Sequence, residues 1–219
     1  MAAKSPKPKS PKPTTVLFVR HGQTPTTGSI LPGRATGLHL SELGQQQAQL
    51  TAERIAALGS KRIAAVYASP MERAQETAAP IAKAVGRNVK VLEDLNECDF
   101  GEWTGRRLAD LRRRRDWNQV QNSPSTFCFP KGESFTDMQN RINTAALWLC
   151  SKHPGGTVVA VSHADTIKAA VSHASGAHLD MFQRIVVSPC SVTAIVYSQN
   201  GPLVLAVNNT GNLTALVPS

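Results

Sequence analysis

No stretch of this 219-residue sequence approaches the roughly eighteen consecutive apolar residues that a membrane-spanning helix needs. Its start lacks an apolar h-region followed by a small-residue cleavage site, so an unexported, cytoplasmic protein is the expectation. Cysteine is sparse: Cys98, Cys128, Cys150 and Cys190 are widely spaced and form no Cys-x-x-Cys pair. That spacing argues against a zinc cluster and suits buried thiols in a reducing compartment. Internal repeats are absent, and no later linker is long enough to divide a chain sized for one domain with a substantial core. Hydrophobic residues make up 41% and charged residues 18%, a balance that rules out general disorder.

Acidic residues are outnumbered, 15 against 24 basic ones, for a formal charge of +9. Part of that excess lies in the opening MAAKSPKPKSPKP, where Lys4, Lys7, Lys9 and Lys12 alternate with proline and serine. Such a composition cannot bury a core or form a regular hydrogen-bond ladder, so residues 1–14 read as an extended tail. It has no aromatic interleaving and no fold, so nucleic acid is not an expected partner. A second basic cluster runs from Arg106 and Arg107 to Arg112, Arg113, Arg114 and Arg115. A solvated helix face is its plain reading, and recruitment of a multiply charged substrate the sharper one.

From residue 15 onward short apolar runs alternate with helical patterns. Strands are expected at Val16–Val19, Ile63–Tyr67, Val89–Leu92, Thr157–Val161, Val192–Tyr197 and Leu203–Val207. Helices are expected from about Ser41 to Leu58, and after Ser69, which reads as an N-cap with Pro70 and Glu72 behind it. Pro80 should kink that second helix. A longer helix after Glu133 places Phe135, Met138, Ile142, Ala145 and Leu149 at spacings of three and four. The pattern predicts a three-layer α/β/α sandwich on a mostly parallel sheet, with one antiparallel edge made by a hairpin across Ser198–Pro202.

Two segments are alike in form. Val16–Val19 runs into Arg20-His21-Gly22, and Val158–Val161 runs into Ser162-His163-Ala164. Each buried strand delivers a histidine at the carboxyl edge of the sheet, where open α/β sheets bind ligands. A third strand delivers Ser69 and, one turn later, Arg73. Arg20 and Arg73 can each grip phosphoryl oxygens through two donors. Neutral His21 can attack phosphorus if its other ring nitrogen is held by a carbonyl, and His163 can donate to an equatorial oxygen. Helix N-termini after both strands would add positive dipole ends. Phosphoryl transfer mainly needs positioning and charge neutralisation, so no metal or cofactor is required in principle.

Four ordered segments, RHGQT (Arg20–Thr24), ASPMERAQETA (Ala68–Ala78), LNECDFGEWTG (Leu95–Gly105) and VSHADTIKA (Val161–Ala169), resemble the phosphoglycerate mutase-like histidine phosphatase superfamily. Phe182–Tyr197, with Asn208-Asn209-Thr210-Gly211, resembles an actinobacterial branch labelled as phosphomutases. The resemblance implies a catalytic domain over 15–219, with about 95–132 forming a small cap. It implies His21 as a nucleophile that becomes phosphohistidine, and Arg20, Arg73, His163 and Thr24 as the phosphate-binding set. Glu97 would be the acid that protonates the leaving oxygen and then the base that activates water. A small phosphorylated metabolite is the implied partner, and homodimers are common among relatives. The short run from Glu97 to the Gly132-Glu133-Ser134 motif favours a phosphatase. A phosphoglycerate-type mutase and a non-catalytic binding protein are the alternatives.

Two positions depart from the family pattern. Thr27 stands where many relatives carry an asparagine that contacts phosphate, and Ala164-Asp165 follows a histidine that many relatives follow with glycine. Asp165 lies three residues after Ser162, so it reads either as a capping-box carboxylate or as a group at the pocket mouth favouring a cationic or hydroxylated substrate.

Overall fold

Thr14–Arg20 forms β1, which pairs in parallel with β4 (Thr157–Ser162) on one side and antiparallel with β5 (Val192–Ser198) on the other. Pairing on both sides and cover on both faces explain why Val16, Leu17, Phe18 and Val19 are apolar without alternation. The computed structural model describes residues 12–216, so the expected tail lies outside the described residues as far as residue 11. Thr14, placed in that tail by composition, opens β1 instead.

β2 (Ile63–Ala68) and β3 (Val89–Val91) extend the parallel set, and β6 (Gly201–Asn209) closes a hairpin on β5. The sheet order is β3-β2-β4-β1-β5-β6. The antiparallel edge is this hairpin, whose first strand runs against β1.

Side-chain alternation in the strands divides the core into two layers. Leu17, Val19, Val66 and Val159 face α1 (Glu42–Ala56) and α2 (Glu72–Ala84), where Ala52, Ile55, Ala78 and Ile81 complete one cluster. Val16, Phe18, Tyr67 and Val158 face α5 (Phe135–Lys152) and α6 (Ala164–Ala174). The five stripe residues of α5 are all buried there. Pro80 lies inside α2, which continues to Ala84.

Between β3 and α5 lie two short helices, α3 (Leu108–Leu111) and α4 (Trp117–Asn122), with turns of 3-10 helix. Phe100, Trp103, Phe127, Phe129 and Phe135 contact one another edge-on or tilted, and Trp117 stacks on Trp103. A chain with only 5% aromatic residues therefore concentrates them beneath this segment. No helix among the described residues is long and apolar enough to cross a membrane.

Candidate active site

The carboxyl ends of β1, β2 and β4 deliver Arg20-His21, Ser69 and His163 to one place. His21 Nδ1 lies 2.8 Å from the Gly22 carbonyl oxygen, so this nitrogen carries the proton and donates it there. The Gly22 peptide is itself held, since its N–H donates to Thr77 Oγ1 at 3.0 Å. Residue 22 can only be glycine, because a Cβ would stand 2.6 Å from the Gly44 carbonyl oxygen. His21 is left with an unprotonated Nε2. Burial, then the charges of Arg73 and Arg20, push its pKa down to about 3.

Arg73 is fully buried, with Nη2 donating to the Gly33 carbonyl at 2.7 Å and lying 3.4 Å from His163 Nδ1. Its Nε and Nη1, and the Nε of Arg20, are buried without a hydrogen-bond partner among the described residues. Unpaired buried guanidinium donors are costly. Their clustering next to His21 matches an anion with several acceptor oxygens. Arg20 is anchored through Nη1 to the Val187 carbonyl at 2.7 Å.

His163 sits against His21, ring centroids 5.1 Å apart, and its Nε2 lies 2.8 Å from Ser69 Oγ. With Arg73 donating to Nδ1, the ring proton resides on Nε2 and points at Ser69. Burial, then Arg73, hold this histidine well below its ordinary pKa. In this arrangement His163 donates to Ser69, and the direct donation to a phosphoryl oxygen expected from the sequence would need a second proton on the ring. Ser69 is likewise not the N-cap of α2. Met71 occupies that position; the Ser69 hydroxyl accepts the Met71 N–H at 3.3 Å while also meeting His163 and Asn96.

Glu97 is almost wholly buried, and one carboxyl oxygen, Oε1, accepts from both the Cys98 N–H at 3.0 Å and Thr166 Oγ1 at 3.1 Å. The other oxygen has no partner among the described residues, and the residue lines the cavity. Desolvation, reinforced by Asp165, raises its pKa against the pull of the Cys98 N–H and Arg73. Its backbone is clamped from behind. Arg34 and Arg141 both donate to the Glu97 carbonyl, and both pair with Glu133 at 2.9–3.0 Å. The Gly132-Glu133-Ser134 motif thus divides its labour. A Cβ at 132 would lie 2.3 Å from the Asp99 carbonyl, Glu133 binds both arginines, and Ser134 caps α5 through the Asp137 N–H.

The cavity above His21 has a volume of about 480 Å³ and is lined by Arg20, His21, Thr24, Thr27, Glu97 and Asp165 at its polar end. Arg73 and His163 form the floor beneath, not the lining. Thr24 is buried, and its hydroxyl is 3.0 Å from that of Thr27, which also accepts the Thr24 N–H.

Two further expectations need correcting, and the arginine cluster is solvent-exposed as its plain reading has it. No helix starts directly after His21, because α1 begins only at Glu42; of the two histidine-bearing strands, only β4 runs straight into a helix, α6. Asp165 is not a capping-box partner of Ser162, whose hydroxyl donates to the Leu95 carbonyl. It pairs with Lys168 at 3.1 Å on the cavity wall. Within the arginine cluster, Arg113 and Arg114 pair with Asp110 and Asp116, while Arg112 lines the cavity.

A family profile described as the histidine phosphatase superfamily (branch 1) matches residues 16–210. The chain belongs to the histidine phosphatase superfamily. A bifunctional protein of Mycobacterium tuberculosis is 33% identical over 207 residues, covering 92% of this chain and 55% of that protein. The chain thus spans little more than half the length of that relative. Phosphoserine phosphatase 1 of Hydrogenobacter thermophilus is 28% identical, covering 90% and 93% of the two chains. Among solved structures, phosphoserine phosphatase from Entamoeba histolytica bound to phosphoserine aligns with a TM-score of 0.80 at 25% identity, over 90% of this chain and 98% of that one. The mycobacterial relative agrees with the actinobacterial likeness of Phe182–Tyr197.

In this superfamily member the structure gathers Arg20, His21, Thr24, Arg73, Glu97 and His163 within one site. Sequence reasoning missed Ser69 as a partner of His163, and the clamp of Arg34, Arg141 and Glu133 behind Glu97. The one available signal was the Gly132-Glu133-Ser134 motif, which carried no assigned role.

Proposed function

We propose that this protein hydrolyses phosphomonoesters of small molecules through a phosphohistidine on His21, without a metal. The observation that supports this most is the state of His21: neutral, its Nδ1 committed to Gly22, and its Nε2 beside buried, unpaired guanidinium donors. Arg20 and Arg73 neutralise the phosphate dianion. His163, donating through Nε2 to Ser69 and accepting from Arg73 at Nδ1, orients that guanidinium beside the phosphate.

His21 Nε2 attacks phosphorus while the bond to the ester oxygen breaks, and protonated Glu97 gives its proton to the departing alkoxide. The Glu97 carboxylate then takes a proton from a water molecule that attacks the phosphohistidine. Free phosphate leaves, and neutral His21 and protonated Glu97 are regenerated. Residues 15–219 form the catalytic domain in this reading, with 95–132 as the cap that walls the cavity. Four free thiols suit work in a reducing cytoplasm.

Phosphate release from p-nitrophenyl phosphate, unchanged in EDTA and abolished in His21→Ala, is the expected result. Product analysis with phosphoglycerates separates hydrolysis from a mutase reaction, which would return an isomeric ester instead of phosphate. Failure to release phosphate from any member of a broad phosphomonoester panel would falsify the proposal.

A further inference from the structure

We propose that the cavity selects monophosphates of uncharged alcohols with an apolar body, and disfavours esters that carry a second anionic group close to the reacting phosphate. The inference deepens the phosphatase reading and rests on it. Beyond the polar end, the walls are apolar on three sides. Leu31 comes from the loop after β1, Leu108, Trp117 and Val120 come from α3 and α4, and Ile185 and Val186 come from the segment before β5. Leu31, Leu108, Trp117 and Ile185 pack directly on the aromatic-rich core, so the wall exists before any ligand arrives. Val186 is 66% exposed at the mouth, where an apolar side chain gains nothing in water.

The cations near the mouth do not offset this. A carboxylate on the substrate needs a free cation deep enough to replace its lost hydration. Lys168 is the candidate, and it is already committed. Its Nζ lies 3.1 Å from Asp165 Oδ1 and 3.2 Å from Gln183 Oε1, and sits over the Phe182 ring at 5.8 Å. A second anion there would have to displace Asp165 or lie beside it. Arg112 remains at the rim, but it is solvent-exposed, and exposed ion pairs contribute little. Arg20 and Arg73 are taken up by the reacting phosphate itself.

The test is a kcat/KM series with ethyl, butyl and hexyl phosphate, which share leaving-group chemistry, set against 3-phosphoglycerate. Each buried methylene can favour a substrate by up to about fourfold, so a rise of at least ~10-fold from ethyl to hexyl phosphate is expected even with partial burial. The 3-phosphoglycerate value should fall at least ~10-fold below that for butyl phosphate, by the cost of an unpaired anion. Val186→Ser, at an exposed position that does not endanger the fold, should flatten the chain-length gain. Asp165→Asn should raise 3-phosphoglycerate relative to butyl phosphate. A flat or falling alkyl series, or preference for 3-phosphoglycerate, overturns the inference while p-nitrophenyl phosphate is still hydrolysed through His21. Loss of p-nitrophenyl phosphate turnover in the intact protein would instead overturn the phosphatase reading beneath it.

Discussion

Replacing Glu97 by glutamine isolates the proton-transfer role of this residue, because the structure allows the change with little other damage. Oε1 accepts both local hydrogen bonds, from the Cys98 N–H and from Thr166 Oγ1, and a glutamine carbonyl can keep them. The unpartnered oxygen on the cavity side becomes an amide that can neither give up a proton to an alkoxide nor take one from water. Loss of general acid catalysis at one group costs about 10²–10⁴ in rate, which is roughly 3–5.5 kcal/mol of barrier. An alkyl phosphate, whose leaving alkoxide needs that proton, should lose kcat/KM by this amount. p-Nitrophenyl phosphate, whose leaving group departs unprotonated, should lose at least ~10-fold less in the same parameter. The pH profile carries a second signature. Desolvation and Asp165 raise the Glu97 pKa, so the acid form survives above the usual carboxylate range and kcat/KM should fall as pH rises through that raised value. The alkaline limb should vanish in the variant. Steady-state phosphate release between pH 4 and 9 on both substrates reads each effect. Equal losses on the two substrates, or an unaltered pH profile, would refute Glu97 as the acid.

Other expectations follow from the same geometry. Arg73→Lys keeps the charge and loses the fork of donors, and should lower kcat/KM about 10²–10³-fold on every substrate alike; a loss confined to one substrate would contradict the phosphate-binding role. Glu133→Gln leaves Arg34 and Arg141 facing each other without their shared carboxylate, and should cost about 2–4 kcal/mol after allowance for partial exposure, a Tm drop of roughly 5–15 °C. A thermal melt that does not move would show the clamp to be idle. Stability should also depend on acid. The folded His21 pKa is depressed to about 3, so between pH 6.5 and that value the unfolded chain takes up a proton that the native one refuses. Stability then falls with falling pH by about 1.4 kcal/mol per unit for such a histidine. Urea midpoints at pH 7 and pH 5 should therefore lie closer together in His21→Asn than in the parent; equal separations would contradict the buried neutral state.

Much of the framework is written into local patterns. The six apolar runs became the six strands because continuous or alternating apolar residues need no knowledge of the rest of the chain to favour burial on a sheet. The stripe on α5 became buried for the same reason, its period being that of the helix. Two strands ending in histidine placed His21 and His163 at the carboxyl edge, and resemblance supplied Glu97, which no local pattern distinguished from its acidic neighbours.

What the tertiary structure decided is where hydrogen-bonding groups spend themselves. Ser162 carries a plausible local capping signal, yet its hydroxyl donates to the Leu95 carbonyl 67 positions away, and the Ser69 hydroxyl adds to its local Met71 N–H a bond to His163, 94 positions away. Glu133 and Arg34 meet across 99 positions, and no periodicity of either segment announces it. A side chain with one donor or acceptor chooses among local and distant partners, and only the packed chain brings the distant ones within reach. The sequence by itself therefore determined the strands, the helices and the residue types at the sheet edge. The fold determined which nitrogen of His21 faces the cavity, which carboxylate has its pKa raised by burial and which lysine is already spoken for.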